Sequence, residues 1–302
     1  MQVSIIIVNY NTKDFLRNCI KSVFKHTTDV EFEILVSDNG STDGSLEMLS
    51  KDFSKVKVIA NGKNLGFGAA NNRALETAKG KYIFYLNSDT VLLNNAVKIF
   101  FDYFESHQKE SLGAIGANLL DSDNNVIHSS GTFAGFGLSF KQLFKMLISN
   151  FILSVFYIFH ISPSRFAHSD KADFYTGEVD YVTGADLFLL NNDSARFDEN
   201  FFLYFEEADL QRQLALQGKS RILINGPKIQ HLCGGSVGTD FSIKRKGSFS
   251  RIQFELSRIR FLKKYNKNPV LLFFIKLLVT IIWLNPFLIK QTKKYIKTLW
   301  SI

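Results

Sequence analysis

The first part of the chain alternates short apolar runs with amphipathic helical patterns, and this alternation restricts the fold more than any other feature. The sequence predicts strands at residues 3–9, 32–37, 56–60, 81–86 and 112–117. It predicts helices between them, at residues 13–25, 45–51, 68–78 and 94–106. Strands joined by helices pair in parallel, because the crossover returns the chain to the same end of the sheet. We therefore expect an α/β protein with a mixed, mainly parallel sheet flanked by helices.

The pattern after residue 118 is looser but continues the same class of fold. Shorter strands are expected at residues 126–128, 178–182, 187–190, 221–224 and 228–231. From about Ser248 the chain is predicted to be helical. These patterns suggest a domain at 1–236, with halves at 1–118 and 119–236 and an apolar insertion at 143–161, followed by a tail at 237–302.

The basic charge of the chain lies in its tail. The formal net charge is +8, and the residues from Asp240 onward hold 14 lysines and arginines against two acids. The tail contains an apolar run at 270–284, interrupted by Lys276 and followed by four more lysines. This run is shorter than the roughly 20 residues of a membrane-spanning helix, so a helix at the membrane interface, with its lysines on anionic headgroups, is favoured. Packing inside the protein or against a second copy is the alternative.

A second apolar run, at 147–159, lies within the insertion and carries no charge. It is compatible both with a membrane-facing surface and with internal packing. Nucleic acid is not favoured as a partner, because the aromatic residues of the tail lie within aliphatic stretches rather than between basic residues. Cys19 and Cys233 form no CxxC pair and no signal sequence is apparent before the first strand, which favours a reducing cytosolic compartment.

A lone carboxylate follows one of the apolar strands. Residues 81–86 run directly into Asn87-Ser88-Asp89. In an open α/β sheet, ligands bind beyond the carboxyl ends of the strands, where Asp89 would meet a metal ion or a phosphate. The alternative is a helix N-cap, because a helical pattern follows soon after.

Polar residues also follow the first and second predicted strands. Asn9 and Tyr10 end the first strand, where an amide and an aromatic ring suit a nucleotide base, although a plain strand-to-helix turn is favoured for this segment taken alone. Asp38 lies at the tip of the second strand and is favoured as a ligand of the ribose or base. Asp43, further along the same turn, is favoured as a helix cap.

A glycine-rich loop at 61–73 includes Asn64 and Gly66, and its glycines would allow the backbone to approach a diphosphate. The loop matches neither a Walker A loop nor the GxGxxG sequence. The first strand-to-helix turn has no glycine, which argues against a dinucleotide-dependent oxidoreductase.

Three acids, Glu206, Glu207 and Asp209, begin a predicted helix. Close carboxylates raise one another's pKa toward a value that suits a general base. Alternatively, one of them only stabilises the N-terminus of the helix. His231 follows a short strand and precedes a glycine-rich loop at 234–236, but the partners of a zinc site are missing around it.

Taken together, these segments resemble the family 2 glycosyltransferases with a GT-A fold, a Rossmann-like nucleotide-diphospho-sugar transferase fold, and more narrowly the bacterial rhamnosyltransferase-like branch. The resemblance covers about residues 3–236. The matching segments are SIIIVNYN (4–11), DNGSTDGS (38–45), NLGFGAANN (64–72), LNSDT (86–90), GAD (184–186), FFLYFEEADL (201–210) and His231 with the glycines and serine that follow it.

The resemblance implies transfer of a sugar, with inversion, from a nucleotide-diphosphate donor such as dTDP-rhamnose or a UDP-hexose, with Mg²⁺ or Mn²⁺ as cofactor. Residues 1–118 would bind the nucleotide sugar and residues 119–236 the acceptor. Asp89 and His231 would hold the metal, and Glu207 would be the catalytic base, with Glu206 as the alternative and Asp209 in support. The donor would contact seven further residues, namely Asn9, Tyr10, Asp38, Asn64, Gly66, Asn87 and Ser88.

Two residues depart from the family pattern. Asn87 replaces an acid that commonly begins the metal motif, so Asp89 would bind the cation only together with the donor. Glu207 replaces a common aspartate. The alternative function is therefore a catalytically inactive nucleotide-sugar-binding protein of a membrane assembly. The basic apolar tail suggests a glycan acceptor linked to polyprenyl diphosphate, met at the cytoplasmic face of the inner membrane, and it is compatible with a homo-oligomer.

Overall fold

The computed structural model describes residues 1–107, 111–159, 172–232 and 247–302. Within these ranges the chain forms two compact units. The first consists of Met1–Phe133, Asp170–Phe202 and Glu206–Val237, and the second of Ala134–Ser169, Leu203–Phe205 and Gly238–Ile302. The chain passes between the units more than once, so neither unit is a single continuous segment.

The first unit contains the described strands and five helices. Its strands are β1 (Val3–Asn9), β2 (Phe32–Asp38), β3 (Lys57–Ala60), β4 (Tyr82–Leu86), β5 (Thr90–Leu92), β6 (Leu112–Ala117), β7 (Ser130–Gly131), β8 (Gly177–Glu178), β9 (Tyr181–Val182), β10 (Asp186–Leu190), β11 (Ser220–Ile224) and β12 (Ile229–His231). Its helices are α1 (Lys13–His26), α2 (Ser45–Asp52), α3 (Phe67–Leu75), α4 (Ala96–Ser106) and α6 (Glu206–Leu216). The second unit contains α5 (Phe136–Ile158), α7 (Phe249–Tyr265), α8 (Pro269–Trp283) and α9 (Ile289–Ser301).

The main sheet has, among the described residues, eight strands in the order β3-β2-β1-β4-β10-β6-β11-β8. Strands β1 to β4 pair in parallel, and β11 is parallel to β6. Strand β10 runs antiparallel to both β4 and β6, between which it lies. The predicted mixed, mainly parallel sheet is therefore confirmed, and the carboxyl ends of β1, β2 and β4 meet at one edge.

Strand β1 is apolar throughout because both faces of the sheet are covered. Val3 and Ile5 join one core cluster with Phe100 of α4, whereas Ile6 joins the cluster on the opposite face with Leu210 of α6. A strand that is buried on both faces cannot alternate polar and apolar residues. This is why the first strand could be located from the sequence.

The region after β6 differs in detail from the prediction. The predicted strand at 126–128 contributes a bridge between Leu120 and Val126. The predicted strand at 178–182 is two short strands, of which β8 pairs with β11 and β9 pairs with β7. Between them the side chain of Arg221 donates hydrogen bonds to the carbonyls of Val179 and Asp180, both at 3.1 Å. The residues between the two strands are thus bound by an arginine that is distant in the sequence, a contact with no local sequence signal.

The second unit has a hydrophobic core of its own. Leu143 and Met146 of α5 pack in it with residues of the three later helices, among them Ile259, Val279 and Leu299. The tail is helical from Phe249, as expected. Helix α8 begins where the side chain of Asn268 accepts hydrogen bonds from the N–H groups of Val270 and Leu271, each at 3.1 Å, with Pro269 in the first turn.

Helix α5 exposes large apolar side chains, although it also buries polar residues beside Leu143 and Met146. Its buried side chains include Ser139, Asn150 and Ser154, whereas Phe144 is 60% exposed and Phe151 is 70% exposed. Within the described part of the chain, α5 is the one helix that is long and apolar enough to cross a membrane by length and composition. A water-facing helix normally shows the opposite arrangement.

Helix α8 also exposes an apolar face. Five exposed side chains of α8, together with that of the residue just after it, recur at helical spacing along one side: Val270, Phe273, Phe274, Leu277, Ile281 and Leu284. Its opposite side is buried in the core of the unit. Internal packing and an exposed apolar surface therefore coexist on both α5 and α8, on different faces of each helix.

Candidate functional site

The tips of β1 and β2 are joined by buried side chains. Asn9 and Asp38 lie opposite each other in the register of these strands. The Asn9 Nδ2 donates to Asp38 Oδ2 at 2.7 Å, and Asp38 Oδ1 accepts from the N–H groups of Gly40 and Ser41 at 3.1 and 2.9 Å. Both side chains are fully buried. Asp38 thus shapes the turn after β2, and both of its carboxylate oxygens are engaged within the protein.

The same network reaches the tip of β4. Thr12 Oγ1 donates to Asn9 Oδ1 at 2.7 Å and lies 2.9 Å from Ser88 Oγ. Tyr10, by contrast, is 48% exposed, and Asn11 beside it has a left-handed backbone with φ of 54°. Tyr10 therefore presents an aromatic ring at the edge formed by the carboxyl ends of β1, β2 and β4. Asn9 and Ser88 connect these strand ends through Thr12.

The loop before α3 is ordered by two asparagines. Asn64 Oδ1 accepts from the N–H of Gly66 at 2.9 Å, and Asn39 Nδ2 donates to the Gly66 carbonyl at 3.0 Å. Asn39 was not among the predicted site residues, although its place directly after Asp38 at a strand tip was a signal. Gly66 has φ of 88°, and a Cβ there would lie 2.1 Å from the carbonyl oxygen of Phe202. The close backbone approach that requires this glycine is thus made to Phe202.

Asp89 and His231 are brought together by the pairing of β5 with β12, in which Thr90 lies opposite His231. The His231 Nε2 lies 3.2 Å from Asp89 Oδ1 and 3.4 Å from Asn87 Nδ2. The alternative that Asp89 is a helix cap is wrong, because β5 intervenes and the residue before α4 is Asn95. The loop at 234–236 that was noted beside His231 lies outside the described residues.

Asp186, at the start of β10, is a fully buried acid that was not assigned a role from the sequence. Its Oδ2 accepts from the N–H of Ala117 at 2.7 Å. Burial raises the pKa of Asp186 well above its ordinary value, while the Ala117 hydrogen bond and the nearby His231 act in the opposite direction. An acid that opens an apolar strand, at Gly184-Ala185-Asp186, was the available signal.

The acidic pair at the start of α6 divides between two environments. Glu206 is buried, with its Cβ beside the position that a Cβ on Gly68 would take, whereas Glu207 is partly exposed and lies beside Gly184. Burial raises the pKa of Glu207, and hydrogen bonds from its own N–H and that of Ala208 partly offset this rise. Asp209 is fully buried and accepts a hydrogen bond from Gln213 of the same helix at 2.9 Å.

Helix α6 is attached to β9 by one buried side chain. The amide of Gln211 accepts from the N–H of Val182 at 2.8 Å and donates to its carbonyl at 2.7 Å. The same amide donates to the Glu207 carbonyl at 3.2 Å. Gln211 therefore fixes the first turn of the helix, which carries Glu207, against the sheet.

The residues at this edge of the sheet suit a cation whose coordination shell is completed by oxygen atoms of a substrate. Among the described residues there is no group of three or more His, Cys, Asp or Glu side chains able to hold a metal ion. Asp89 and His231 offer one carboxylate and one imidazole at a partly exposed position. Mg²⁺ and similar ions are commonly held by one or two protein ligands together with substrate phosphates, so this pair suits a cation that binds with a diphosphate.

Solved structures share this architecture. The protein is similar to GalNAc-T7 with UDP, GalNAc and Mn²⁺, with a TM-score of 0.58 and 14% identity over 87% of this chain and 48% of that chain. It is also similar to S. aureus TarS in complex with UDP, with a TM-score of 0.53 and 13% identity over 93% of this chain and 70% of that chain. The predicted GT-A fold is thereby confirmed.

Two curated relatives match part of the chain. It is 34% identical over 115 residues to a poly(ribitol-phosphate) beta-glucosyltransferase of Bacillus spizizenii, covering 36% of this chain and 18% of the relative. It is 36% identical over 112 residues to the UDP-Glc:alpha-D-GlcNAc-diphosphoundecaprenol beta-1,3-glucosyltransferase WfaP of Escherichia coli, covering 33% of this chain and 44% of the relative. The chain thus spans less than half the length of each.

The family model of glycosyl transferase family 2 matches residues 4–171. This match includes β1, β2 and β4 with the turns that carry Asn9, Asp38 and Asp89. Because it covers more than half of the chain, the protein belongs to glycosyl transferase family 2.

Proposed function

We propose that the protein transfers a sugar from a nucleotide-diphosphate donor to a hydroxyl group of a glycan, with inversion at the anomeric carbon. The observation that carries this proposal is Glu207, a partly exposed carboxylate at the start of α6 whose pKa is raised by burial. A carboxylate with a raised pKa is suited to accept a proton near neutral pH. The similarity to family 2 transferases supports the same reaction.

The reaction is a single displacement. Glu207 takes the proton of the acceptor hydroxyl as its oxygen forms a bond to the anomeric carbon. The bond from that carbon to the diphosphate breaks on the opposite side, and the diphosphate leaves with the electron pair. One carboxylate base without a protein nucleophile gives inversion.

The donor would lie along the carboxyl edge of β1, β2 and β4. Tyr10, with its exposed ring, would stack on the base, while Asn9 and Asp38 would act by holding the turns in place, since their polar atoms bond within the protein. Asn64 and Gly66 would order the loop beside the donor. The GalNAc-T7 structure contains UDP and GalNAc, the TarS structure contains UDP, and the name of WfaP includes UDP-Glc. These relatives favour a UDP-hexose over dTDP-rhamnose as the donor.

Asp89 and His231 would hold Mg²⁺ or Mn²⁺ when the donor is bound. The cation would neutralise charge on the leaving diphosphate. Asn87, which contacts His231, and Ser88, which contacts Thr12, would orient this corner without adding charge. Because only two protein ligands are offered, binding of the cation would depend on the donor.

The acceptor would be a glycan linked to polyprenyl diphosphate, met at the cytoplasmic face of the membrane. The exposed apolar faces of α5 and α8 support this, because large apolar side chains such as Phe144 and Phe151 are exposed there. Four lysines of α9 are exposed on the same unit and suit anionic headgroups: Lys290, Lys293, Lys294 and Lys297. The name of WfaP includes a diphosphoundecaprenol acceptor, which favours the same class.

The transfer reaction is tested with Glu207→Gln. With UDP-glucose, UDP-N-acetylhexosamines and dTDP-rhamnose as donors and a polyprenyl-diphosphate-linked sugar as acceptor, we expect transfer to fall about 100-fold or more, with donor binding retained. Glu206→Gln decides between the two members of the pair. Glu47→Gln, in the first turn of α2, is the matched control and should change nothing.

Two results would contradict the proposal. Full transfer by the Glu207→Gln protein would remove Glu207 from the base role. Binding of a nucleotide sugar, measured by thermal shift with Mn²⁺, without transfer to any acceptor tested would favour the catalytically inactive binding protein instead.

A further inference from the structure

Thr12, the residue before α1, connects the end of β1 to the turn after β4 within the first unit. Its Oγ1 donates a hydrogen bond to Asn9 Oδ1 at 2.7 Å and lies 2.9 Å from Ser88 Oγ. A hydroxyl group has a single proton to donate. Because Thr12 donates its proton to Asn9, the proton of the second hydrogen bond comes from Ser88. The Ser88 hydroxyl is therefore held at the N-terminal end of α1.

Ser22, on the buried side of α1, binds the far end of the same stretch of chain. Its Oγ accepts a hydrogen bond from the N–H of Leu92 at 3.0 Å and donates to the carbonyl of Cys19 at 2.7 Å. Leu92 ends β5, which among the described strands pairs with β12 alone. Ser22 thus supplies the acceptor for a buried N–H group of β5, and a buried N–H without a partner would be costly.

Cys19 lies between these two contacts. Its Sγ is 3.6 Å from the carbonyl oxygen of Asn87 and 3.6 Å from Thr90 Oγ1. Burial raises the pKa of the Cys19 thiol to about 12. The thiol is therefore neutral at neutral pH and packs against the turn as an inert group. Thr12 and α1 together contact the segment 87–92 at its start, its middle and its end.

Asp89 lies inside the segment that these contacts hold. Its neighbours Ser88 and Thr90 are buried, whereas its own side chain is 16% exposed and lies 3.2 Å from His231 Nε2. A binding group must be held to within about 0.5 Å of its productive place by the residues around it. For Asp89, such supporting residues come from α1 and the residue before it.

We propose that Thr12 and Ser22 are positioning residues of the cation site. They hold the segment 87–92 against α1 from its two ends and so keep the Asp89 carboxylate beside His231. Neither residue touches the cation. This inference rests on the proposed function, in which Asp89 and His231 hold the cation together with the donor.

The test uses the full chain and removes each hydroxyl in turn. Thr12→Val keeps the shape of the side chain, and Ser22→Ala removes the hydroxyl alone. With UDP present, we expect each to weaken Mn²⁺ binding about tenfold, as loss of a group that orients a metal ligand does, and to change UDP binding without metal less than about twofold. Asn9 keeps its hydrogen bonds to Asp38 and Ser41 in both variants. Thr12→Ser, which restores the hydroxyl, should bind Mn²⁺ as the unmodified protein does.

Hydrogen exchange in a peptide spanning 87–92 measures the same attachment without any metal. We expect faster exchange in Thr12→Val and Ser22→Ala, because amide groups exchange when the local structure opens. Thr27→Val is the matched control. Thr27 is the buried residue directly after α1, and its Oγ1 has no hydrogen-bond partner in the described part of the chain. This variant should change neither Mn²⁺ binding nor exchange.

Normal Mn²⁺ binding in both Thr12→Val and Ser22→Ala would overturn the inference, whether or not exchange becomes faster. Equal weakening in Thr27→Val would also overturn it, because the effect would then be general destabilisation. Failure of the proposed function looks different, since the unmodified protein would then bind no Mn²⁺ in the presence of UDP and Asp89→Ala would behave in the same way.

Discussion

Three carboxylates that the sequence presents in similar terms occupy different environments. Asp38 is fully buried and accepts hydrogen bonds from Asn9 and from backbone N–H groups. Asp89 is partly exposed beside His231. Glu207 is partly exposed and has a raised pKa. The three side chains are therefore suited to hold a turn, to bind a cation and to accept a proton, in that order.

The cation site is tested by metal binding rather than by activity. We expect Asp89→Ala and His231→Ala to weaken Mn²⁺ binding about tenfold or more in the presence of UDP, since even the loss of a residue that only orients a metal ligand weakens binding by about 10–100-fold. Binding without UDP should be weak in all proteins. Asp193→Ala, in a turn that lies between β10 and α6, serves as the control. An unchanged Mn²⁺ titration in Asp89→Ala would count against the site.

The raised pKa of Glu207 has a consequence for stability. A carboxyl group whose pKa is higher in the folded state destabilises the fold as pH rises, because the folded state binds the proton more strongly. Relative to the normal protein, Glu207→Gln should therefore melt at about the same temperature at pH about 4, near the ordinary glutamate pKa, and at a higher temperature at neutral pH. Melting curves across this range measure the difference. A constant difference at all pH values would contradict it.

A comparison of Gly66 with Gly62 distinguishes the cost of steric overlap from the cost of backbone strain. Gly66→Ala should lower the free energy of unfolding, because its φ is 88° and a Cβ would overlap the Phe202 carbonyl. Gly62 also has a left-handed φ, of 70°, but nothing lies within 4 Å of a Cβ there. Gly62→Ala should therefore cost only about 1–2 kcal/mol of strain, and Gly66→Ala about 2 kcal/mol more from overlap. Denaturant unfolding of both proteins gives the comparison, and equal losses would refute the crowding.

At the scale of elements, the site depends on pairings between segments far apart in the chain. Strands β5 and β12 bring His231 to Asp89, and Gln211 attaches α6 to β9. Short strands and a single glutamine have weak sequence signals. The elements themselves were predicted from local patterns, but the contacts between them were not, because the partners lie far apart in the chain.

The attachment of α6 is tested by Gln211→Leu. This change leaves the buried N–H and carbonyl of Val182 without their partner, and we expect the free energy of unfolding to fall by about 2–3 kcal/mol. Gln217→Leu changes an exposed glutamine just beyond α6 and should alter it by less than about 0.5 kcal/mol. Denaturant titration distinguishes the two. Equal stability of both variants would contradict a fixing role for Gln211.

At the scale of the whole molecule, the two units differ in the surfaces they offer. The first unit is a GT-A domain with a polar edge formed by strand tips. The second exposes phenylalanines and isoleucines along α5 and α8 and carries exposed lysines on α9. Such a combination is typical of proteins that bind at the surface of an anionic membrane.

Membrane binding is tested by flotation with anionic lipid vesicles. The protein should float at low salt and partly at high salt, since apolar contacts persist when charges are screened. Phe151→Glu, on the exposed face of α5, should reduce flotation strongly. Phe24→Glu, which changes a side chain of the first unit that is 40% exposed, is the control and should not. Equal flotation of both variants would contradict the proposed membrane face.

The sequence by itself determined the α/β class, the first strands and helices, and the segments that carry the family resemblance. This was possible because a strand buried on both faces, such as β1, must be apolar, and because polar residues follow it directly at the edge of the sheet. The domain boundaries, the rhamnosyltransferase-like branch, the homo-oligomer and the roles of individual residues stay predictions.

The tertiary structure alone decided which polar side chains are enclosed by hydrogen bonds within the protein and which are partly exposed. Asp38 and Asp89 look alike in sequence, yet one is enclosed by hydrogen bonds and the other lies beside a histidine from β12. Gly66 makes room for the Phe202 carbonyl, a close approach that its own sequence neighbourhood does not indicate, whereas its place beside a diphosphate stays a prediction. Burial and neighbouring charge come from segments distant in the chain, so a local pattern cannot contain them.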